Sequence, residues 1–500
     1  MNSFWLENIN KIEGSGILEN DTNADVCIIG AGICGLTTAY YLCKEGYRVI
    51  VIDKENIANG VTGHTTAKIT SQHGLIYSYL SKEYGINFAK KYYEANEQAI
   101  KNIEEIIQKN SIECDFEKKN SYIYTEKEEE LDKIKEEIEA LKNISHLENF
   151  KAENIDLPFK TLGGVEFKNQ AEFNPLKYIK GLVKYILNKK GRIYENTLCI
   201  DVKKENEEFT IFTETNKIYA KCVVIATQYP FIKIPGLYFL KMYQASSYVI
   251  GVQTNEKLPE GMYINVEEPK LSFRTAIDKE KNKILLIGGA GHKTGKKITY
   301  EETYGILEKR AKELYKDAKI KYKWSTRDAI TLDKIPYIGE LSSIYENMYV
   351  ATGFNKWGMT SSNVAANIIV EKIKGNGSIY DEIFKARRFK PIENKGEVKN
   401  MIVDSVKGII GDRIKSEKIE IDEIKNNSGG IVDIDGEKVG IYKNEEGKIY
   451  KIDPVCTHLG CILEWNDVDK TWDCPCHGSR FDKYGKNIYG PAIKNIKEKI

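Results

Sequence analysis

What this sequence lacks narrows its function first. No apolar run approaches the roughly 18 residues that a membrane-spanning helix needs, so no integral membrane segment is expected. The first residues, Met1-Asn-Ser-Phe-Trp-Leu-Glu-Asn, lack a basic stretch followed by an apolar one, so no secretory leader is expected and the expected compartment is the cytoplasm. An excess of one charge is also missing: 74 Lys and Arg stand against 73 Asp and Glu. That balance steers neither nucleic acid nor an anionic membrane, and neither is expected as a partner. The chain has 500 residues, 41% of them hydrophobic and 29% charged, which fits soluble globular protein. It is too long for one ordinary core, and its length predicts about three domains.

Cysteine is thinly spread, with one exception. Six of the ten (Cys27, Cys34, Cys43, Cys114, Cys199 and Cys222) are scattered. Three of those fall in an apolar-rich N-terminal unit, where Cys usually behaves as a small buried hydrophobe. The other four lie close together near the end, in Cys456-Thr-His458-Leu-Gly-Cys461 and Cys474-Pro-Cys476-His477-Gly-Ser479. Each box opens with a Cys and carries a His two or three positions on. Cys461 and Cys476 read as occupying matching places inside the boxes. Two Cys and two His could bind a structural zinc. A C-x-H pair is unusual in a zinc finger, however, and a four-ligand zinc site gives Cys461 and Cys476 no role.

The boxes resemble those of Rieske [2Fe–2S] proteins of the kind with a disulfide beside the cluster. That resemblance implies Cys456, His458, Cys474 and His477 as metal ligands and a Cys461–Cys476 disulfide. Neutral imidazoles on one iron reduce the negative charge of the cluster and raise its potential. Gly490-Pro491-Ala492 resembles the proline loop that closes over such a cluster. Ser479 stands where a hydroxyl bonds a bridging sulfide in respiratory relatives, and Phe481 stands where those have Tyr. One hydrogen bond is kept and one lost, so a potential between the extremes of the roughly −150 to +300 mV Rieske range is expected.

At the other end, Ala24 to Ile29 is a short apolar run that enters Gly30-Ala-Gly32-Ile-Cys-Gly35. A helical pattern follows, then a second apolar strand, Arg48 to Ile52, ending at Asp53, 18 residues beyond Gly35. A lone G-x-G-x-x-G is weak, but here strand, helix, second strand and acid are all in place. The glycines let backbone approach a pyrophosphate at the helix start, and Asp53 can accept from the adenosine ribose. Three later segments favour FAD over NAD. They are Gly60-Val-Thr-Gly-His64-Thr65-Thr66-Ala67-Lys-Ile-Thr-Ser-Gln-His73-Gly; Lys221-Cys-Val-Val-Ile-Ala226-Thr227; and Asp333-Lys-Ile-Pro336-Tyr-Ile-Gly339, followed by Met348-Tyr-Val-Ala-Thr-Gly353-Phe-Asn-Lys-Trp-Gly358-Met359-Thr. Together they resemble the D-amino-acid oxidase/glycine oxidase group of FAD-dependent amine and amino-acid oxidoreductases, over about residues 20–375. The resemblance implies FAD contacts from Gly30, Gly32, Gly35, Asp53, Thr65, Thr66, Ala67, Thr227, Gly353, Gly358 and Met359. With Phe4-Trp5-Leu6 and Gly-His-Thr-Thr-Ala-Lys, the chain resembles the bacterial members that end in a Rieske domain.

The expected fold is an α/β FAD-binding (Rossmann-like) domain with an α+β substrate domain, followed by a small all-β Rieske domain. Residues 1–380 should hold the oxidoreductase unit, with FAD-binding parts at about 24–90, 150–230 and 325–375 and substrate-side parts at about 91–150 and 231–320. A linker is expected at 381–410 and the Rieske domain at 411–500. Leu131, Ile134, Ile138 and Leu141 form a core stripe on a helix drawn from Glu126 to Asn143. Strand-like runs at Ser247–Thr254, Leu271–Ile277 and Lys283–Ile287 suggest antiparallel pairing. Ile287-Gly-Gly289-Ala-Gly291-His-Lys-Thr-Gly295 imitates a second dinucleotide loop, but its spacing is wrong and no acid-ended strand follows; a tight turn is expected there.

The resemblance implies oxidation of an amine or amino acid by hydride transfer to FAD, with electrons passed singly to the cluster and on to an external acceptor. The catalytic residues are not specified by sequence. His64 is a candidate for covalent attachment to the flavin, more simply read as a pyrophosphate or backbone contact. Arg274 is a candidate fork for a substrate carboxylate, more simply read as a surface salt bridge. Two other readings stay open: an electron-transfer adaptor, and a redox sensor acting through Cys461 and Cys476.

Overall fold

The computed structural model describes residues 3–145, 150–152, 154–232, 235–388 and 420–499. The strand Thr22–Ile29 is buried on both faces from Val26 onward, as an apolar run in the middle of a parallel sheet must be. It pairs in parallel with Val49–Ile52 on one side and Lys217–Ile225 on the other. The full order of this first sheet is Tyr337–Glu340, Met348–Thr352, Lys217–Ile225, Thr22–Ile29, Val49–Ile52 and Arg192–Tyr194, with Cys199–Glu205 and Glu208–Thr213 joined to one side. The helices Ile33–Lys44 and Gly358–Ile373 pack together over it, most of their residues buried. This is the expected Rossmann-like unit.

A second eight-stranded sheet stands beside it. Its order is Lys319–Thr331, Met242–Gln253, Lys283–Lys293, Leu271–Ile277, Met262–Asn265, Glu117–Thr125, Gly163–Glu172 and Lys68–Ile69. The expected antiparallel pairing of the central runs is present. The expected partition is redrawn, because Lys68–Ile69, Gly163–Glu172 and most of Lys319–Thr331 fall in segments that sequence grouped with the FAD-binding part. A strand's own residues say that one face is buried, and they do not say in which sheet. The glycine-rich run meets the expectation one step later than its first glycines. Lys283–Lys293 carries Gly288, Gly289 and Gly291 as sheet, with a bulge there, and the tight turn follows at Thr294–Gly295, where Lys296 N–H donates to the Lys293 carbonyl at 3.2 Å and Gly295 has φ +84°. The glycines are needed for closeness: a Cβ on Gly289 would lie 2.0 Å from the Lys270 carbonyl oxygen. The helix Leu131–Ile144 buries Ile134 and Leu141 of the expected four-residue stripe, leaves Leu131 and Ile138 half-buried, and starts later than drawn because Glu128–Glu130 forms a 3₁₀ turn.

The expected linker begins too early. Asp381–Phe384 is helical, and Ala386 donates its N–H to the Ile338 carbonyl at 3.0 Å. Arg387 pairs with Glu340, and Arg388 pairs with Asp333 and lies 3.8 Å over the Tyr337 ring. The basic cluster that read as loop is thus fastened to the first sheet by acids too far away in sequence to be noticed. The rest of that linker, residues 389–410, and the first part of the C-terminal domain lie outside the described residues. From Glu420 onward come a three-stranded sheet, Ser428–Ile434, Glu437–Lys443 and Ile449–Ile452, and a four-stranded one, Glu464–Asn466, Thr471–Asp473, Arg480–Asp482 and Asn487–Tyr489. All these pairs are antiparallel. Among the described residues, no helix is long and apolar enough to cross a membrane.

Candidate redox sites

The two Cys/His boxes fold as near copies of one loop. In the first, Cys456 N–H donates to the Cys461 carbonyl at 2.8 Å and Gly460 N–H to the Cys456 carbonyl at 3.0 Å. In the second, Cys474 N–H donates to the Ser479 carbonyl at 2.8 Å and Gly478 N–H to the Cys474 carbonyl at 2.9 Å. Gly460 and Gly478 have φ of +81° and +75°, the left-handed region that a side chain disfavours, which is why each box carries glycine at that position. The loops bring the His458 and His477 rings to 5.1 Å, nearly perpendicular. Cys456 and Cys474 are buried beside them. Burial holds the His477 imidazole neutral, at about 4, the form in which it can act as a ligand. Its Nδ1 is buried with no hydrogen-bond partner among the described residues, as a nitrogen awaiting a metal would be. The residues present fit a [2Fe–2S] cluster, which Cys456, Cys474, His458 and His477 would hold.

Cys461 and Cys476 are joined as a disulfide, and their sulfurs lie within 4.8 Å of that of Cys474. They do not occupy matching places. Cys461 ends the first loop where Ser479 ends the second, whereas Cys476 corresponds to His458. The bridge therefore ties the end of one loop to the middle of the other. Ser479 is fully buried and accepts a hydrogen bond from Ala492 N–H at 3.0 Å, which draws Gly490-Pro491-Ala492 over the site. Phe481 is also fully buried.

Two adjoining cavities occupy the oxidoreductase part. One, of 620 Å³, opens at the glycine turn and is lined by Gly30, Gly32, Asp53, Thr227, Gly353 and Gly358, among others. Each glycine of the turn has its own reason. A Cβ on Gly30 would lie 2.5 Å from the Ala226 carbonyl oxygen, and one on Gly35 would lie 1.9 Å from that of Gly30. Gly32 meets only Thr62 Oγ1, at 3.2 Å, so backbone there is open to the cavity. The helix it begins gets no side-chain cap from this N-cap glycine; Thr62 Oγ1 accepts from the Ile33 N–H at 3.0 Å, and the following N–H groups of the first turn are left for an anion. Asp53 accepts from Ala31 N–H at 2.7 Å and Glu55 N–H at 2.9 Å, and burial pushes its carboxyl up to about 6. These residues fit a dinucleotide, which they would hold through its pyrophosphate and ribose.

The second cavity, of 740 Å³, lies on the second-sheet side. Val61, Thr65, Asp328, Asn355, Lys356 and Met359 line both, so the two communicate at the start of the helix Gly358–Ile373. This helix also lacks a side-chain cap. Gly353 has φ +70°, and a Cβ on it would lie 2.2 Å from Thr331 Cγ2. Five lysines line the second cavity (Lys68, Lys270, Lys293, Lys334 and Lys356) against two carboxylates, Glu268 and Asp328. The cavity is therefore net basic. Burial, with Arg274 nearby, lowers the Lys68 amine to about 7. His73 stacks on Trp357 at 4.9 Å and contacts Tyr92 Oη at 2.8 Å, and burial lowers it to about 3, so it is neutral. Neither Lys68 nor His73 was singled out by sequence, though both lie in the quoted Gly60–Gly74 segment.

The two candidate catalytic residues fare differently. Arg274 lines neither cavity. It is 3% exposed, paired with Glu172 at 3.3 Å, and donates to the carbonyls of Thr66 at 3.0 Å and Ala67 at 2.7 Å. It is neither a surface bridge nor a fork for substrate; it braces a loop. His64 lines the dinucleotide cavity, with Nδ1 2.8 Å from the Gly60 carbonyl oxygen, in keeping with the simpler of its two readings. The bracing is systematic. Ser3 Oγ bonds the Gly63 carbonyl, Trp324 Nε1 that of His64 at 2.8 Å, and Trp5 Nε1 that of Thr65 at 2.6 Å. Every carbonyl from Gly63 to Ala67 accepts from a side chain outside the loop. Ala67 is held at φ +56°, which an alanine adopts only under such constraint. The Phe4-Trp5 pair thus has a structural task at the junction of the cavities.

Comparison with known proteins agrees with this geometry. Residues 25–372 match the family model described as FAD dependent oxidoreductase, and residues 417–499 match the Rieske [2Fe-2S] domain. A candidate Rieske 2Fe-2S iron-sulfur protein of Bacillus subtilis (strain 168), YhfW, is 39% identical over 482 residues, covering 96% of this chain and 94% of its own. Gamma-glutamylputrescine oxidoreductase of Escherichia coli (strain K12) is 23% identical over 397 residues, 76% of this chain and 90% of its own. The fold matches glycine oxidase from Geobacillus kaustophilus with a TM-score of 0.60 at 18% identity, over 74% of this chain and 99% of that one. The chain belongs to the FAD dependent oxidoreductase family and carries a C-terminal Rieske domain. The family binds FAD and the Rieske domain binds a [2Fe–2S] cluster.

Proposed function

We propose that this FAD-dependent oxidoreductase is a dehydrogenase that takes electrons from an amino acid and passes them through its own Rieske cluster to an external acceptor. The observation that carries the reading is one strand. Along Met242–Gln253, Tyr243, Ala245 and Ser247 line the 740 Å³ cavity. Between them Gln244 turns the other way, as a strand requires. Its Nε2 donates to the His477 carbonyl at 3.1 Å and to the Gly490 carbonyl at 2.6 Å. A single backbone thickness therefore separates the substrate cavity from the loops that would hold the cluster. Gly478 fits only because it has no side chain: a Cβ there would lie 2.5 Å from that of Gln244.

FAD supplies a two-electron acceptor and the cluster a one-electron carrier, and the protein positions both. The chain's own residues do the rest. The net basic lining attracts a substrate with a carboxylate more than a polyamine, which favours an amino acid within the amine class. Lys68, with its amine near neutral, is suited to accept the proton that an ammonium substrate must lose before oxidation. The braced Gly63–Ala67 loop and the start of the Gly358–Ile373 helix hold the junction where substrate and cofactor meet. The γ-glutamylputrescine and glycine enzymes act on nitrogen compounds by their names, which supports the substrate class without specifying a member.

The test is anaerobic. Holoprotein is mixed with panels of amino acids, N-methyl amino acids, plain amines and polyamines, while flavin absorbance and the cluster's paramagnetic resonance are followed. Bleaching by an amino acid followed by a Rieske signal is the expected result. Bleaching by polyamines alone overturns the carboxylate assignment. Cluster reduction by a reduced flavoprotein or NADH, with no response to any amine, makes the protein an electron conduit.

A further inference from the structure

The 620 Å³ cavity has a wall that the oxidoreductase unit does not supply. Opposite the glycine turn it is lined by Asn487, Ile488, Tyr489, Gly490 and Ala492 of the C-terminal domain. Lys54, next to Asp53, donates through Nζ to the Ile488 carbonyl at 2.9 Å, so this segment is fastened at the ribose end of the site. The same few residues also reach the cluster loops. Gly490 shares the Gln244 amide with His477, and Ala492 N–H bonds Ser479, the residue that closes the second box. A clamp holds the arrangement from below. Arg327 of the oxidoreductase unit and Arg480 of the C-terminal domain both pair with Asp469, and Arg480 also pairs with Asp473. Arg327 is 1% exposed and Arg480 3%.

We infer that Asn487–Ala492 is a wall common to both cofactor sites, so that the Rieske domain completes the FAD site and the two cofactors favour each other's binding. The physical reason is ordering. A cluster held by both boxes fixes Ser479 and with it Ala492 and Gly490, so the wall stands in place before FAD arrives. FAD then meets a site whose ordering cost has already been met. Coupling of this kind is reciprocal: whatever the cluster adds to FAD affinity, FAD adds to cluster affinity. The inference stands independently of any substrate.

Two substitutions in the full-length protein test it, with affinity for FAD measured by flavin fluorescence and the cluster by paramagnetic resonance. Tyr489→Ala trims the wall and leaves all four cluster ligands. It is expected to keep the Rieske signal and raise the FAD dissociation constant about tenfold. Cys474→Ser removes the cluster and is expected to weaken FAD binding by a similar factor. Should Tyr489→Ala disturb the cluster, Lys54→Ala loosens the wall from the other side, with the same expected rise. FAD affinity unchanged within about twofold in Cys474→Ser, or in a Tyr489→Ala or Lys54→Ala protein that keeps its Rieske signal, overturns the coupling.

Discussion

The cluster loops and the basic cavity differ in how much of the chain builds them. Each cluster loop spans a few residues, closes on itself with two backbone hydrogen bonds, and brings its own ligands. The basic cavity draws on residues from Val61 to Met359, contributed by strands of the second sheet and by loops and helices outside it. A site of the first kind fails when one ligand is lost, because nothing else can replace it. A site of the second kind degrades by degrees, because each group is held by several distant neighbours. The dinucleotide cavity lies between these extremes: a local glycine turn on one side and a borrowed wall on the other.

The largest effect tests the first half of that contrast. Cys474→Ser should abolish the Rieske signal and the bound iron while the oxidoreductase unit keeps its fold, measured by resonance, iron content and circular dichroism. Next comes Arg274→Ala, which breaks a buried ion pair and frees the Thr66 and Ala67 carbonyls. A loss of about 3–5 kcal/mol in chemical denaturation is expected. If Arg274 gripped substrate instead, KM would rise and stability would hold.

Lys68 gives a smaller effect whose sign can be worked out. Its folded value of about 7 lies below the unfolded value near 10.4, so between those values the unfolded chain binds the extra proton. Stability should therefore rise with pH from about 7 to about 10, by about 2 kcal/mol once the water-facing side of the group is allowed for. Lys68→Met should flatten that rise in denaturation curves taken across the range. The smallest effect should come from Gln244→Leu, which removes two hydrogen bonds at the boundary and no ligand. Substrate bleaching of the flavin should be unchanged and the step from flavin to cluster slowed about tenfold, the equivalent of roughly 1.4 kcal/mol. A change in bleaching instead would mean that Gln244 belongs to the cavity and not to the hand-off.

The same contrast explains what could be read from sequence. The grouping of Cys456, His458, Cys474 and His477 was legible because its members, the glycines and the spacing lie within two short boxes. Gly30 and Gly35 were legible because close approach of backbone leaves only glycine, and Gly32 because the spacing of the turn includes it. Arg274 was misread because its partners, Glu172 and the Thr66 and Ala67 carbonyls, lie more than a hundred residues away. Lys68 and His73 passed unnoticed, since an ordinary lysine and histidine become unusual only when the fold buries them, Lys68 in the second sheet and His73 against Tyr92, Trp357 and Thr360. Phe4 and Trp5 were visible as a family marker; the task of Trp5, with Ser3, in holding the Gly63–Ala67 loop needed the fold. The partition of strands between the two large sheets failed for a related reason, because strand pattern carries no partner.

The alternation along Met242–Gln253 has a practical meaning for anyone redesigning the enzyme. Up to the bulge between Ser246 and Tyr248, odd positions face the basic cavity and Gln244 faces the cluster loops. Parity becomes an address. On the proposed function, a library confined to 243, 245 and 247 would explore new substrates while leaving the wiring alone, and one confined to 244 would retune the wiring for an unchanged substrate.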